Sequence, residues 1–128
     1  MPTLTISNRD DEIAYEIIKR LDLKPVSARF DFFINGRLIT IIWDGAGLNE
    51  KGSLVLVEVE KGEINESHIK NHMLNILLMV NQGKAVDTVI WVTRRGALNI
   101  LKAIVGTWKI VLESACRIKL PKMNYLSL

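Results

Sequence analysis

Along this chain the spacing of apolar residues alternates between a helical and a strand period. Ile13, Ile17, Ile18 and Leu21 fall one helical turn apart and predict a helix from Asp10 to Leu21 with those four as its core stripe. Ser7 or Asn8 can cap it, and Asp10, Asp11 and Glu12 load the first turn with the sign the helix dipole favours. Leu23-Lys24-Pro25 ends it, because the residue before a proline disfavours helical geometry. Alternation then takes over. "ARFDFFI" and "RLITIIW" flank Asn35-Gly36, two residues that accept positive φ and predict a two-residue hairpin. "GAGLNEKG" predicts a flexible connection, and "SLVLVEVE" a third strand. That strand's near-continuous apolar run requires cover on both faces and places it in the middle of a sheet.

Helical spacing returns from about Ile64 to Val80, with Ile69, Met73, Ile76 and Val80 on the core face. Leu74 and Leu78 lie opposite, too apolar for free solvation, and predict contact with another element or with a second copy of the chain. Gln82-Gly83 closes this helix, "AVDTVIWVT" is a fourth strand, and a further helix follows Arg94-Arg95-Gly96 to about Val105. The segment "TWKIVLESACRIKLPKMNYLSL" is compatible with a longer helix or with a short extra strand and tail. The order helix, three strands, helix, strand, helix predicts an α/β fold. Its mixed central sheet combines an antiparallel hairpin with a right-handed parallel crossover, flanked by helices.

Composition sharpens this picture only in places. The 128 residues fit one domain, 1–128, and 48% apolar with 24% charged residues is globular composition. No apolar run approaches the roughly 18 residues that span a bilayer, so no membrane partner is expected. The start "MPTLTISNRDDE" lacks a secretory pattern, and a cytoplasmic setting is the expectation. Cys116 is alone, which excludes an internal disulfide or a cysteine-cluster zinc site and reads as a small core residue. Trp43, Trp91 and Trp108 also read as core. Charge is uneven: residues 1–83 carry nine Lys/Arg against twelve Asp/Glu, and residues 84–128 carry eight against two. A basic C-terminal third can attract a polyanion such as nucleic acid, or simply be solvated.

The chemistry gathers around acids. Glu58 and Glu60 end the third strand on one face, about 7 Å apart along it. Asp44 ends the strand before. If those strands are neighbours, three carboxylates converge, and they repel unless a cation lies between them. Oxygen ligands suit a hard ion, Mg²⁺ or Mn²⁺. The competing reading is of ordinary strand ends, solvated or paired with Lys51 or Lys61. His68 and His72 stand one helical turn apart, a spacing that can bind zinc, but no metalloprotease Glu motif and no third His or Cys accompanies them. They read as helix-edge packing or a phosphate contact. Arg94 and Arg95 could grip a nucleic-acid backbone, since Arg binds phosphate in a bidentate way. No phosphate-cradling glycine loop follows a strand, which leaves a small-molecule enzyme without support.

"WDG", and "VEVEKG" fourteen residues after Asp44, in this order of elements resemble the core of the PD-(D/E)xK, or restriction-endonuclease-like, nuclease superfamily. The resemblance covers residues 10–105 and implies an αβββαβ core and a metal-dependent nuclease hydrolysing DNA phosphodiesters. Asp44 and Glu58 would be metal ligands, with Glu60 at the position usually held by the catalytic lysine. Lys61 is one residue out of register, and Lys70 on the following helix would be the migrated lysine known in some relatives. Resolvase-like members add an acid from the first helix, which here would be Glu16, with Glu12 a turn earlier. His68, Lys70 and Asn71 would be polar helpers near the phosphate. A domain of this size acting on duplex or branched DNA would work as a homodimer. The alternative is a catalytically inactive nucleic-acid-binding or assembly module on the same fold.

Overall fold

The computed structural model describes residues 9–128. Helix α1 spans Asp10–Arg20, strand β1 Lys24–Val26, β2 Arg29–Ile34, β3 Arg37–Ile42, β4 Gly45–Leu48 and β5 Leu54–Glu60. Helix α2 (Glu66–Asn81) leads to β6 (Val86–Thr93), a 3₁₀ turn at Arg95–Ala97, α3 (Leu98–Cys116) and β7 (Lys122–Ser127). Five strands form one mixed sheet in the order β1-β4-β5-β6-β7, with β5 at its centre. The β4–β5 pair is antiparallel, and β5–β6 and β6–β7 are parallel. Among the described residues no helix is long and apolar enough to cross a membrane.

Alternation along β5 divides the interior into two layers. Val55, Val57 and Val59 face α1 and pack with Ile13, Ala14, Ile17 and Ile18. Leu54 and Leu56 face the other way, toward Ile69, Met73, Ile76 and Met79 of α2 and Leu101 and Val105 of α3. Glu58 and Glu60 continue that second face, so they point at α2 by the same alternation. The hairpin forms as expected, with Asn35 at φ 52° and Gly36 at φ 74°.

Several expectations need correction. The hairpin β2–β3 is a separate two-stranded sheet, and the neighbour of β5 is not the second hairpin strand but β4, formed by "GAGL". The glycines there do not serve flexibility. A Cβ on Gly45 would stand 2.7 Å from the Ala14 Cβ and 2.9 Å from the Ile18 Cδ1, so α1 can press on the sheet only because the position is bare. Leu21 is 50% exposed, just past the last turn of α1, and Val80 is only partly buried, its core place taken by Met79. Cys116 is an exposed free thiol at the end of α3. The expected caps Ser7 and Asn8 lie outside the described residues, and Arg9 stands at the cap position. Leu78 packs partly against the core of its own chain, whereas Leu74 remains exposed.

Gly45→Ala is expected to lower stability by about 1–3 kcal/mol, the usual cost of overpacking a tight contact. Chemical denaturation of the two proteins measures it, and an unchanged midpoint would mean that α1 is free to lift.

Candidate metal centre

Asp44 lies between β3 and β4, and the β4–β5 register puts the next residue, Gly45, opposite Val57. This carries Asp44 to the end of β5 where the acids stand. The Val59 N–H donates to Asp44 Oδ2 at 2.7 Å, and the Asp44 N–H donates to Glu58 Oε1 at 3.3 Å. Asp44 therefore meets Glu58 by way of β4 rather than the hairpin, whereas Glu60 gathers with the histidines of α2 and not with Asp44. Burial first, and the neighbouring Glu58 charge second, push the Asp44 carboxyl up to about 7. Beside Asp44 a groove of about 370 Å³, whose lining includes Asp11, Glu12 and Tyr15, opens toward solvent.

The opposite wall is α2. Asn65 caps it by accepting a bond from the His68 N–H at 3.1 Å, which sets the helix N-terminus over the end of β5. His72 Nε2 lies 2.6 Å from Glu58 Oε2 and 3.3 Å from Glu60 Oε1, and His68 Nε2 lies 3.3 Å from the same Glu60 oxygen. The two Nε2 atoms are 3.0 Å apart. The His72 ring sits between Trp43 and Trp91, with centroids at 5.6 and 6.1 Å. Burial alone would lower the His72 imidazole, but the close carboxylates of Glu58 and Glu60 override it and hold the group up at about 9.

Glu58, Glu60, His68 and His72 thus form a group that could hold a divalent metal, one ligand atom from each lying within 4.8 Å of the others. The donors fit such an ion on an observation independent of their proximity. Glu60 Oε1 is buried and makes no hydrogen bond of acceptable geometry, although two imidazole nitrogens stand 3.3 Å away. Sequence reasoning treated the two histidines apart from the acids. The missing signal was a short one: Glu-x-Glu on a strand, then a tight connection, then His-x₃-His on the returning helix.

The other expected residues are more scattered. Lys61 points to α1 and pairs with Asp10 at 3.0 Å. Lys70 is two residues from both His68 and His72 and so leaves α2 on roughly the opposite side, while exposed Asn71 neighbours His68 on the helix surface. Glu16 pairs with Arg20 at 2.9 Å on the α1 flank, and Glu12 lies 3.5 Å from Arg9. Arg94 and Arg95 are exposed just beyond Thr93, which is in register with Glu60, so they stand at the same sheet edge as the acids. The basic C-terminal third is divided, because Lys122 pairs in register with Thr88 at the far end of the sheet.

The metal-free protein should lose stability as pH rises. Asp44 goes from an ordinary 3.8 to about 7 and His72 from 6.5 to about 9, so both bind more protons folded than unfolded in those intervals. Where the folded state binds more protons, stability falls with rising pH. In chelator, Tm should drop between pH 7 and pH 9, where His72 titrates, and the drop should flatten in His72→Gln. A wild-type Tm that rises across this interval would contradict the ion pair.

No family model and no curated protein sequence matches the chain. Solved structures do. An apo structure of EndoMS is 16% identical, with a TM-score of 0.43 over 97% of this chain and 48% of that one. The yeast mitochondrial Holliday junction resolvase Ydc2 is 12% identical, with a TM-score of 0.31 over 94% of this chain and 58% of that one. The chain spans about half the length of these structures.

Proposed function

We propose that the protein is a metal-dependent nuclease that hydrolyses DNA phosphodiester bonds, with Mg²⁺ or Mn²⁺ held by Asp44, Glu58 and Glu60. The observation that carries this reading is the meeting of Asp44 and Glu58, fourteen residues apart, at the C-terminal edge of the central strand. Two carboxylates brought together at a half-buried edge repel; His72 offsets Glu58 in the metal-free protein, and a bound divalent ion would offset Asp44 and Glu58 together. The ion would supply an activated water and charge stabilisation at the phosphoryl group.

The chain's own residues divide the remaining tasks. Arg94 and Arg95 hold the DNA backbone at the edge where the acids stand, as exposed phosphate ligands. Lys61, held by Asp10, keeps the α1 side of the site electrically balanced and stands away from the acids' face. Asp44 is fixed by the Val59 N–H, so its carboxylate is oriented before any ligand arrives. In this reading two copies act together on duplex or branched DNA. The outward hairpin face, with Phe33 at 77%, Ile42 at 66% and Leu38 at 54% exposure, offers more apolar surface for pairing than Leu74 does.

The test is incubation of the metal-stripped protein with linear duplex and four-way-branched DNA, with and without Mg²⁺ or Mn²⁺. Cleavage that requires the ion is expected. Salt-sensitive DNA binding without cleavage under any of these conditions would replace the nuclease by a binding module on the same fold.

A further inference from the structure

The imidazoles change which ion the site prefers. We infer that Glu58, Glu60, His68 and His72 form a mixed nitrogen–oxygen centre selective for a borderline transition ion, Zn²⁺ in preference to Mg²⁺. The inference goes beyond the nuclease reading, sharing Glu58 and Glu60 with it but holding whether or not DNA is cut.

Distances come first. The closest separations within the group are 2.6 Å (His72 to Glu58), 3.0 Å (His68 to His72) and 3.3 Å (each histidine to Glu60). A tetrahedral Zn²⁺ with bonds of about 2.0–2.1 Å keeps its ligand atoms about 3.3–3.4 Å apart. Four of the six separations match those edges or fall short of them, so small rotamer adjustments would open the centre, and the ion would displace the proton that His72 shares with Glu58.

Hydrogen bonding gives a second, independent argument. Glu60 Oε1 is a buried acceptor aimed into the group without a well-directed donor. The two imidazoles turn the same nitrogen, Nε2, toward one point, where a single proton can serve only one of them. A cation at that point satisfies all four atoms at once. The neighbours agree: His72 is 13% exposed and held between two indoles, whereas His68 is 55% exposed and leaves an open side for entry.

Ligand chemistry selects the ion. Imidazole nitrogen suits Zn²⁺ and its neighbours, whereas Mg²⁺ takes oxygen ligands and retains waters. The first and last pairs of ligands lie on different elements, β5 and α2, so the ion would also fasten the helix to the strand.

Metal-stripped protein titrated with Zn²⁺ by calorimetry should bind one ion per chain, tighter than Mg²⁺ by on the order of 100-fold or more. Co²⁺, used as a spectroscopic probe, should give the intense visible bands of a four-coordinate site. His68→Gln, at an exposed position where circular dichroism should show the fold intact, should weaken Zn²⁺ binding by at least about tenfold and leave Mg²⁺ binding unchanged. His72→Gln should remove the Co²⁺ bands. Equal Zn²⁺ affinity in wild type and His68→Gln, or a weak octahedral Co²⁺ spectrum, overturns the inference. Mg²⁺-dependent cleavage with no histidine-dependent Zn²⁺ binding sinks this centre and leaves the nuclease. Histidine-dependent Zn²⁺ binding without cleavage does the reverse.

Discussion

Metal-dependent DNA cleavage by Glu58→Gln should fall by at least about 100-fold, a loss of about 3 kcal/mol of transition-state stabilisation. Asp44→Asn should behave alike. Glutamine keeps the size of Glu58 and a carbonyl oxygen that can still accept from the Asp44 N–H, so the fold around β5 should survive. What it removes is the negative charge that a divalent ion needs, and such an ion supplies several kcal/mol at a phosphoryl centre. Because both acids would serve one ion, their losses should not add. The double variant Asp44→Asn/Glu58→Gln should be little slower than either single one. Two additive losses would place the acids in separate roles, and full cleavage in both single variants would remove the acids from catalysis.

The variants also bear on what the chain discloses before it folds. The acids at the end of β5 and Asp44 before β4 were legible because strand alternation and hairpin chemistry are local rules. Their meeting was expected for an incomplete reason. The hairpin does not pair with β5. Instead Gly45 and Gly47, which look like flexible-loop residues, form the strand that does, since bare positions let α1 approach. Close packing across layers has no local signature, so glycine was open to the opposite reading.

The same limit explains α3 and the histidines. Gly106 and Thr107 interrupt the helical pattern, yet α3 continues to Cys116, with Thr107 Oγ1 donating back to the Ala103 carbonyl at 2.8 Å. The helix ends where Arg117 adopts φ 51°. His68 and His72 were visible as a pair of possible ligands, as were Glu58 and Glu60. That the pairs face each other follows from the parallel crossover, in which α2 turns back over β5 after a short connection. Two half-sites on separate elements become one only in three dimensions.

His72→Leu should destabilise the metal-free protein by about 3–5 kcal/mol, the cost of stranding one member of a buried ion pair. Glu58 is 6% exposed, and His72 Nε2 at 2.6 Å is its closest ion-pair contact among the described residues. Leucine fills the space between Trp43 and Trp91 but offers no donor, so the carboxylate must stay desolvated or be neutralised. Acidification, which neutralises it, should recover part of the loss. So should a second substitution: with Glu58→Met added, the charge is gone and an apolar pair replaces the ionic one, a change that is often neutral or stabilising. The cycle of single and double variants, followed by denaturant unfolding in chelator, isolates the coupling between the two side chains. A His72→Leu protein as stable as wild type would mean that the Glu58 charge is compensated elsewhere, and the imidazole would then be free to serve a ligand instead of the fold.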